Sequence, residues 1–156
     1  MHERPDPQWN VYRGGDTPPE SARDLLGDEA VQRFERYDPA DPAAPEPVVI
    51  AGVDEQGQWL AGLLLLIERM EGEGGEAGET VASIQQLVIP PAHRGQGLAG
   101  RLIRRATTLA KAADATRLRS TAGWGCPDHL AMYARLRFDP LNARELPYLV
   151  SKPIDA

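Results

Sequence analysis

"RGQGLAG", residues 94–100, is the stretch on which the reading of this chain turns. Taken from its first glycine it is Gly95-x-Gly97-x-x-Gly100, a literal G-x-G-x-x-G, the pattern of a dinucleotide-binding turn. Taken from its arginine it is Arg94-x-x-Gly97-x-Ala99, an anion loop of a different kind. The two readings demand different surroundings, so the neighbouring sequence decides between them.

In a dinucleotide-binding turn the first glycine directly follows a strand. Here Pro90, Pro91, Ala92, His93 and Arg94 separate Ile89 from Gly95, and the two prolines stop the strand and force a true loop. The pattern also needs a carboxylate about 20 residues on, to hold the ribose hydroxyls. The sequence there is "ATRLRS", residues 115–120, with no carboxylate. Arg117 or Arg119 would suit a 2′-phosphate, yet the loop spacing stays wrong. A P-loop is excluded because no Gly-Lys-Ser/Thr follows. The second reading asks for a strand that ends, small residues that let backbone N–H groups approach an anion, and a helix aimed at it. Residues 86–103 supply that order.

Working outward, "WNVYR" (9–13) reads as a first strand, and "TPPESARDLLGDEAVQRFERY" (17–37) as one or two helices with Thr17 placed to cap the start. "DPADPAAPEP" (38–47) is a proline-rich linker. "VVIAGVD" (48–54) and "WLAGLLLLIERM" (59–70) are apolar strands joined by the hairpin connection "EQGQ". "EGEGGEAGE" (71–79) is a loop, and "TVASIQQLVI" (80–89) is the strand that leads into residues 94–100. From Leu98 the period becomes helical: Leu98, Leu102, Ala106, Leu109 and Ala113 share a face, with Arg101, Arg104, Arg105 and Lys111 off it. "TRLRSTAG" (116–123) reads as a strand and "DHLAMYARLR" (128–137) as a short helix, while Phe138 and "LPYLVSKPI" (146–154) offer closing strands. That order predicts a mixed α/β domain rather than a regular βαβ repeat.

The chain has 156 residues and is 42% apolar, enough for one domain spanning residues 1–156 with a real core. No apolar run approaches the ~20 residues of a membrane span. The opening "MHERPDPQWN" lacks the apolar region of a secretory signal, so a cytoplasmic location and no membrane partner are expected. Cys126 is alone and no Cys/His cluster has ligand spacing, so neither an internal disulfide nor a metal site is expected. A net charge of −6 argues against nucleic acid as a partner. Yet residues 94–119 hold seven basic side chains against one acid, Asp114. That segment reads either as the seat of an anionic ligand or as a solvated helix face.

The run "QLVIPPAHRGQGLAGRLI" (86–103) resembles the central motif of the GNAT superfamily of N-acetyltransferases. That motif is a strand ending apolar-x-apolar, a proline-containing loop, Arg/Gln-x-x-Gly-x-Gly/Ala and an amphipathic helix. Ala99 is an accepted variant at its position. The likeness extends to "HLAMYARLRF" (129–138), where relatives often carry Y-x-x-x-G-F; Tyr133 and Phe138 match, and Arg137 stands where the glycine would be. It covers residues 48–138 well and the first 47 only in general arrangement.

The resemblance implies a single mixed, mostly antiparallel sheet flanked by helices. It implies acetyl-CoA as co-substrate and transfer of its acyl group to a primary amine by direct attack in a ternary complex. Backbone N–H groups of Gly95, Gln96, Gly97, Leu98, Ala99 and Gly100 would hold the pyrophosphate, with Arg94 adding charge. Leu87, Val88 and Ile89 would pair with the pantetheine arm and offer an N–H to the thioester oxygen. Tyr133 would protonate the departing thiolate. The acceptor would be a small-molecule amine or a peptide or protein amine, and a homodimer is left open.

No residue declares itself the base. His93 reads first as a loop residue, Asp128 as a helix cap at the start of the segment that includes His129, and Cys126 as a small packed residue. Gln85 and Gln86 occupy strand positions where some relatives carry a catalytic glutamate; their amides orient water but are not ordinary bases. The acidic stretch 71–79 reads as a solvated hairpin tip or as an attractor of a cationic amine. A module of the same fold that binds or senses acyl-CoA without transferring it is the alternative function.

Overall fold

The computed structural model describes residues 6–70, 78–122, 135, 137–140 and 148–154. β1 (Gln8–Tyr12) leads into α1 (Glu20–Leu26) and α2 (Asp28–Arg36). β2 (Glu46–Val53), β3 (Trp59–Met70) and β4 (Glu79–Val88) follow. A 3₁₀ turn (Pro91–His93) precedes α3 (Leu98–Ala112), and β5 (Arg117–Ala122), the two-residue β6 (Asp139–Pro140) and β7 (Tyr148–Pro153) complete the described elements.

The seven strands among the described residues join one sheet in the order β1-β2-β3-β4-β5-β7-β6. The β4–β5 pair is parallel and the other pairs are antiparallel, as expected for a mixed, mostly antiparallel sheet. The parallel pair arises because α3 carries the chain back across the sheet before β5 begins, a crossover that a hairpin cannot make.

Each face of the sheet has its own core. Val48, Ile50, Leu63, Leu65, Ala82, Ile84 and Leu118 pack under α3, against Leu98, Leu102, Ile103, Ala106 and Ala110. Val49, Ala51, Val53 and Leu64 pack under α1 and α2, against Ala22, Leu26, Ala30 and Phe34. Residues of β2 and β3 thus alternate between two buried faces, which explains why both strands read as near-continuous apolar runs.

Several local expectations shift. Thr17 caps nothing: Pro19 occupies the N-cap of α1, with no side-chain cap. The helical stretch divides in two at Gly27, whose φ of 90° is open to glycine without strain. Ile89 lies one residue past β4. On α3 the buried stripe runs through Ile103 and Ala110, while Leu109 and Ala113 are only half-buried. The hairpin at residues 54–58 is pinned by Asp54, whose Oδ1 accepts from the N–H groups of Gln56 (2.9 Å) and Gln58 (2.8 Å).

Candidate functional site

The loop after β4 is held by its own arginine. Arg94 folds back and its Nε donates to the carbonyl of Ile89 at 2.9 Å, which ties the two ends of the proline segment together. Gly95 (φ 80°) and Gly97 (φ 75°) then take left-handed conformations that cost an L-residue about 1–2 kcal/mol. A Cβ built at Gly95, Gly97 or Gly100 would meet nothing within 4 Å. The first two glycines therefore answer to backbone shape, and the space over the loop is open.

Gly97 is the N-cap of α3, no side chain caps that end, and its first turn has no acid. The N–H groups of Leu98, Ala99 and Gly100 consequently have no intrahelical acceptor. They add to the positive end of a 15-residue helix dipole. Backbone donors and dipole together make an anion-binding terminus.

β4 supplies the second feature. On one side it pairs with β3 as far as Val88. On the other, its pairing with β5 ends at Ile84 opposite Ser120, although β5 runs on to Ala122 alongside β7. The strands part, and residues 85–88 have no partner strand on that side among the described residues, so they present a free edge to the gap. Unpaired N–H and C=O groups on such an edge can pair with an extended guest. The side chains there are anchored away from the gap, Leu87 and Ile89 in the α3-side core and Val88 in the α1/α2-side core.

A β-bulge lies at the same point. Ile84 pairs with Leu65 and Gln86 with Leu64, so Gln85 is an extra residue on β4. The bulge turns Gln86 to the α1/α2 side with Leu64 and exposes Gln85. The Gln86 Oε1 is buried and has no hydrogen-bond partner among the described residues. An acceptor left so costs about 1–3 kcal/mol, which a donor reaching it would recover. The sequence carried a faint sign of this bulge, since Gln85-Gln86 breaks the alternation of β4; the parting of β4 from β5 had none.

Basic groups surround the region. Arg119 Nη2 donates to Ser83 Oγ at 3.3 Å, and Arg117 Nε to Ser151 Oγ at 3.0 Å. Along α3, Arg101 meets Asp6 at 3.0 Å and Arg105 lies 4.7 Å over the Trp9 ring. Gln96, Leu98 and Arg101, with His93, form one wall of a cavity of about 640 Å³ whose other wall includes Asp54, Glu55 and Gln56. That cavity opens on the β2–β3 hairpin side of the glycine loop, away from the free edge of β4.

Of the candidate residues, the structure brings Leu87, Val88 and Ile89 to the parted edge and Arg94, Gly95, Gln96, Gly97, Leu98, Ala99 and Gly100 to the loop beyond it. Tyr133, Cys126, Asp128 and His129 lie outside the described residues, as does the acidic stretch 71–77. Arg137 is described: it is exposed and has a φ of 67°. The backbone keeps a glycine-type conformation where the Y-x-x-x-G-F pattern has its glycine, even though the residue is arginine. Among the described residues no group of three His, Cys, Asp or Glu could hold a metal ion. No described helix is long and apolar enough to cross a membrane.

Residues 16–137 match the acetyltransferase (GNAT) family. Among curated proteins none matches this sequence. Similar solved structures include a Klebsiella pneumoniae protein provisionally assigned as an acyl-CoA N-acyltransferase, with TM-score 0.63 and 19% identity over 94% of this chain and 98% of that one. A tyrosine-to-phenylalanine variant of the AtaT toxin, bound to acetyl-CoA and the C-terminus of the antitoxin AtaR, gives TM-score 0.61 and 15% identity over 94% and 93% of the two chains. AtaT complexed with acetyl-methionyl-tRNAfMet gives TM-score 0.59 and 14% identity over 94% and 95%. At these identities the likeness is one of fold.

Proposed function

The chain belongs to the acetyltransferase (GNAT) family, and from that premise we propose that it transfers the acetyl group of acetyl-CoA to a primary amine. The observation that carries this reading is a juxtaposition. An uncapped helix terminus under two left-handed glycines follows a strand whose last four residues have a free edge among the described residues. A pyrophosphate fits the first and an extended pantetheine arm fits the second. A dinucleotide would need neither the free edge nor the five-residue loop.

In this proposal the N–H groups of residues 95–100 hold the pyrophosphate, and the Arg94 guanidinium, tied at Ile89, adds positive charge. The pantetheine amides pair with the backbone of residues 87–89. An N–H from the same edge donates to the thioester oxygen as that oxygen gains negative charge, which is where such a donor accelerates reaction. The amine nitrogen attacks the carbonyl carbon, a C–N bond forms, and the C–S bond breaks. The amine gives up a proton, and the thiolate takes one from the Tyr133 hydroxyl. The Gln86 Oε1, buried and without a donor among the described residues, accepts a hydrogen bond from the incoming amine or from the water that carries its proton away.

A small-molecule amine or the amine of a peptide or protein is the proposed acceptor. The charge argument against nucleic acid gains no support from the neighbours, one of which is described with an acetylated aminoacyl-tRNA.

The test is turnover of acetyl-CoA against a panel of amines with detection of free thiol, beside calorimetry with CoA. Acetyl-CoA binding with thiol release only when amine is present supports the transferase. Binding with no turnover across the panel assigns the chain to the non-catalytic alternative.

A further inference from the structure

Resting on the transferase reading, we infer that the acceptor is an amine that also carries an anionic group, a carboxylate or a phosphate, and that Arg119 with Arg117 binds that group. Arg13 and Arg33, the other half-buried arginines among the described residues, each pair with a carboxylate, Glu46 and Glu29. Acids outnumber bases by 23 to 17 in the whole sequence, so carboxylates are not scarce. Arg117 and Arg119 nevertheless meet only serine hydroxyls among the described residues. Both are half-buried. A guanidinium has five N–H donors, and partial burial without an anion is costly.

Their placement gives the cation a use. Leu118 points into the α3-side core, so Arg117 and Arg119 face the opposite side, where Ser83 and Ser151 lie beside them in register. Arg119 is next to the last residue of β5 that pairs with β4. Arg119 thus stands at the foot of the gap between the parted strands, with Arg117 two residues further from the gap on the same face of β5. Gln86 looks to the same side from the upper part of β4, with its buried oxygen open to a donor. A hydrogen-bond acceptor for the amine and a cation for an anion, Arg119, therefore share one side of one gap, with Arg117 adding charge behind it.

The spacing narrows the class. Arg119 is held at Ser83, and because Gln85 is the extra residue of the bulge, Gln86 lies two register positions further along, opposite Leu64 where Ser83 is opposite Leu66, roughly 7 Å at ~3.3 Å per residue. The acceptor is accordingly extended, with its amine several bonds from its anion. A dipeptide with free termini and an ω-aminoalkyl phosphate both have that form.

The test compares matched acceptors on the full chain: a dipeptide against its C-terminal amide, and an ω-aminoalkyl phosphate against the corresponding amino alcohol. Charge-assisted contacts of this kind are worth about 10- to 100-fold. Wild-type protein is expected to prefer the anionic member of at least one pair by that factor in kcat/KM, and the arm that responds identifies carboxylate or phosphate. Arg119→Gln should bring the preference to within about twofold, mainly through KM, with acetyl-CoA affinity by calorimetry unchanged; Arg119→Lys should restore part of it. Equal use of both members of both pairs by the wild type overturns the inference without any variant. So does an active Arg119→Gln protein that keeps the preference. Acetyl-CoA binding with no transfer to any amine overturns the underlying transferase reading instead, and this inference with it.

Discussion

Ser83 and Gln86 face the same side of the sheet although they stand three positions apart on β4. In a regular strand an odd spacing puts two residues on opposite faces. The extra residue at Gln85 reverses that parity just where β4 and β5 separate. The bulge therefore sets which side chain looks into the gap.

CoA is expected to bind, and NAD and NADP are not. The five residues between Ile89 and Gly95 and the missing acid near residue 117 are the reasons. Calorimetry with all three ligands checks this, and tight NAD(H) binding without CoA binding would refute it.

Gly97→Glu should abolish CoA binding, because it adds bulk and negative charge at the uncapped helix terminus. Gly97→Ala isolates the backbone effect. At a φ of 75° it should cost about 1–2 kcal/mol, or roughly 2–8 °C in Tm for a chain of this size. Unchanged CoA affinity in a folded Gly97→Glu protein would move the phosphate site elsewhere.

Tyr133→Phe should leave acetyl-CoA affinity nearly intact and lower kcat with the preferred amine. General acid catalysis is typically worth ~10²–10⁴, about 3–5 kcal/mol of barrier. A thiolate is a fair leaving group, so water in place of the hydroxyl would shrink the loss to about tenfold. Wild-type kcat with chemistry rate-limiting would make Tyr133 a packing residue.

Arg137→Gly should stabilise the protein. The exposed arginine is held at φ 67°, which costs about 1–2 kcal/mol, and glycine removes that strain at an entropic cost of about 0.5–1 kcal/mol. A net gain near ~0.5–1 kcal/mol would raise Tm by roughly 1–4 °C. A lower Tm would mean that the arginine side chain makes a contact worth more than the strain.

Much of this fold was legible because its signals are local. Proline at residues 90 and 91 ends β4, the period of 98–106 announces α3, and the apolar runs of β2 and β3 need no partner to be recognised. The glycine loop was legible for the same reason. Thr17 failed as a cap because Pro18 and Pro19 fix the chain beyond it, and the helix begins only at Glu20. Ile103 and Ala110 escaped the stripe because the sheet buries a broader face of α3 than a single row. The parting of β4 and β5, and the meeting of Arg119 with Ser83, depend on pairing across 36 residues, which no local pattern records.

The unpaired stretch at 85–88 leaves a sheet with an edge in its interior as well as at its rims. Amide hydrogens on that edge lack the protection that a neighbouring strand confers, so they should exchange with solvent faster than those of residues 81–84. A donor molecule that fills the gap by strand-like pairing would complete the sheet. Ligand at 100 times its Kd would add about 2.7 kcal/mol to the folding free energy. Slowed exchange at 86–88 and a Tm that climbs with donor concentration would then be two readings of one event. The abundance of the folded protein would follow the supply of the molecule that fills the gap.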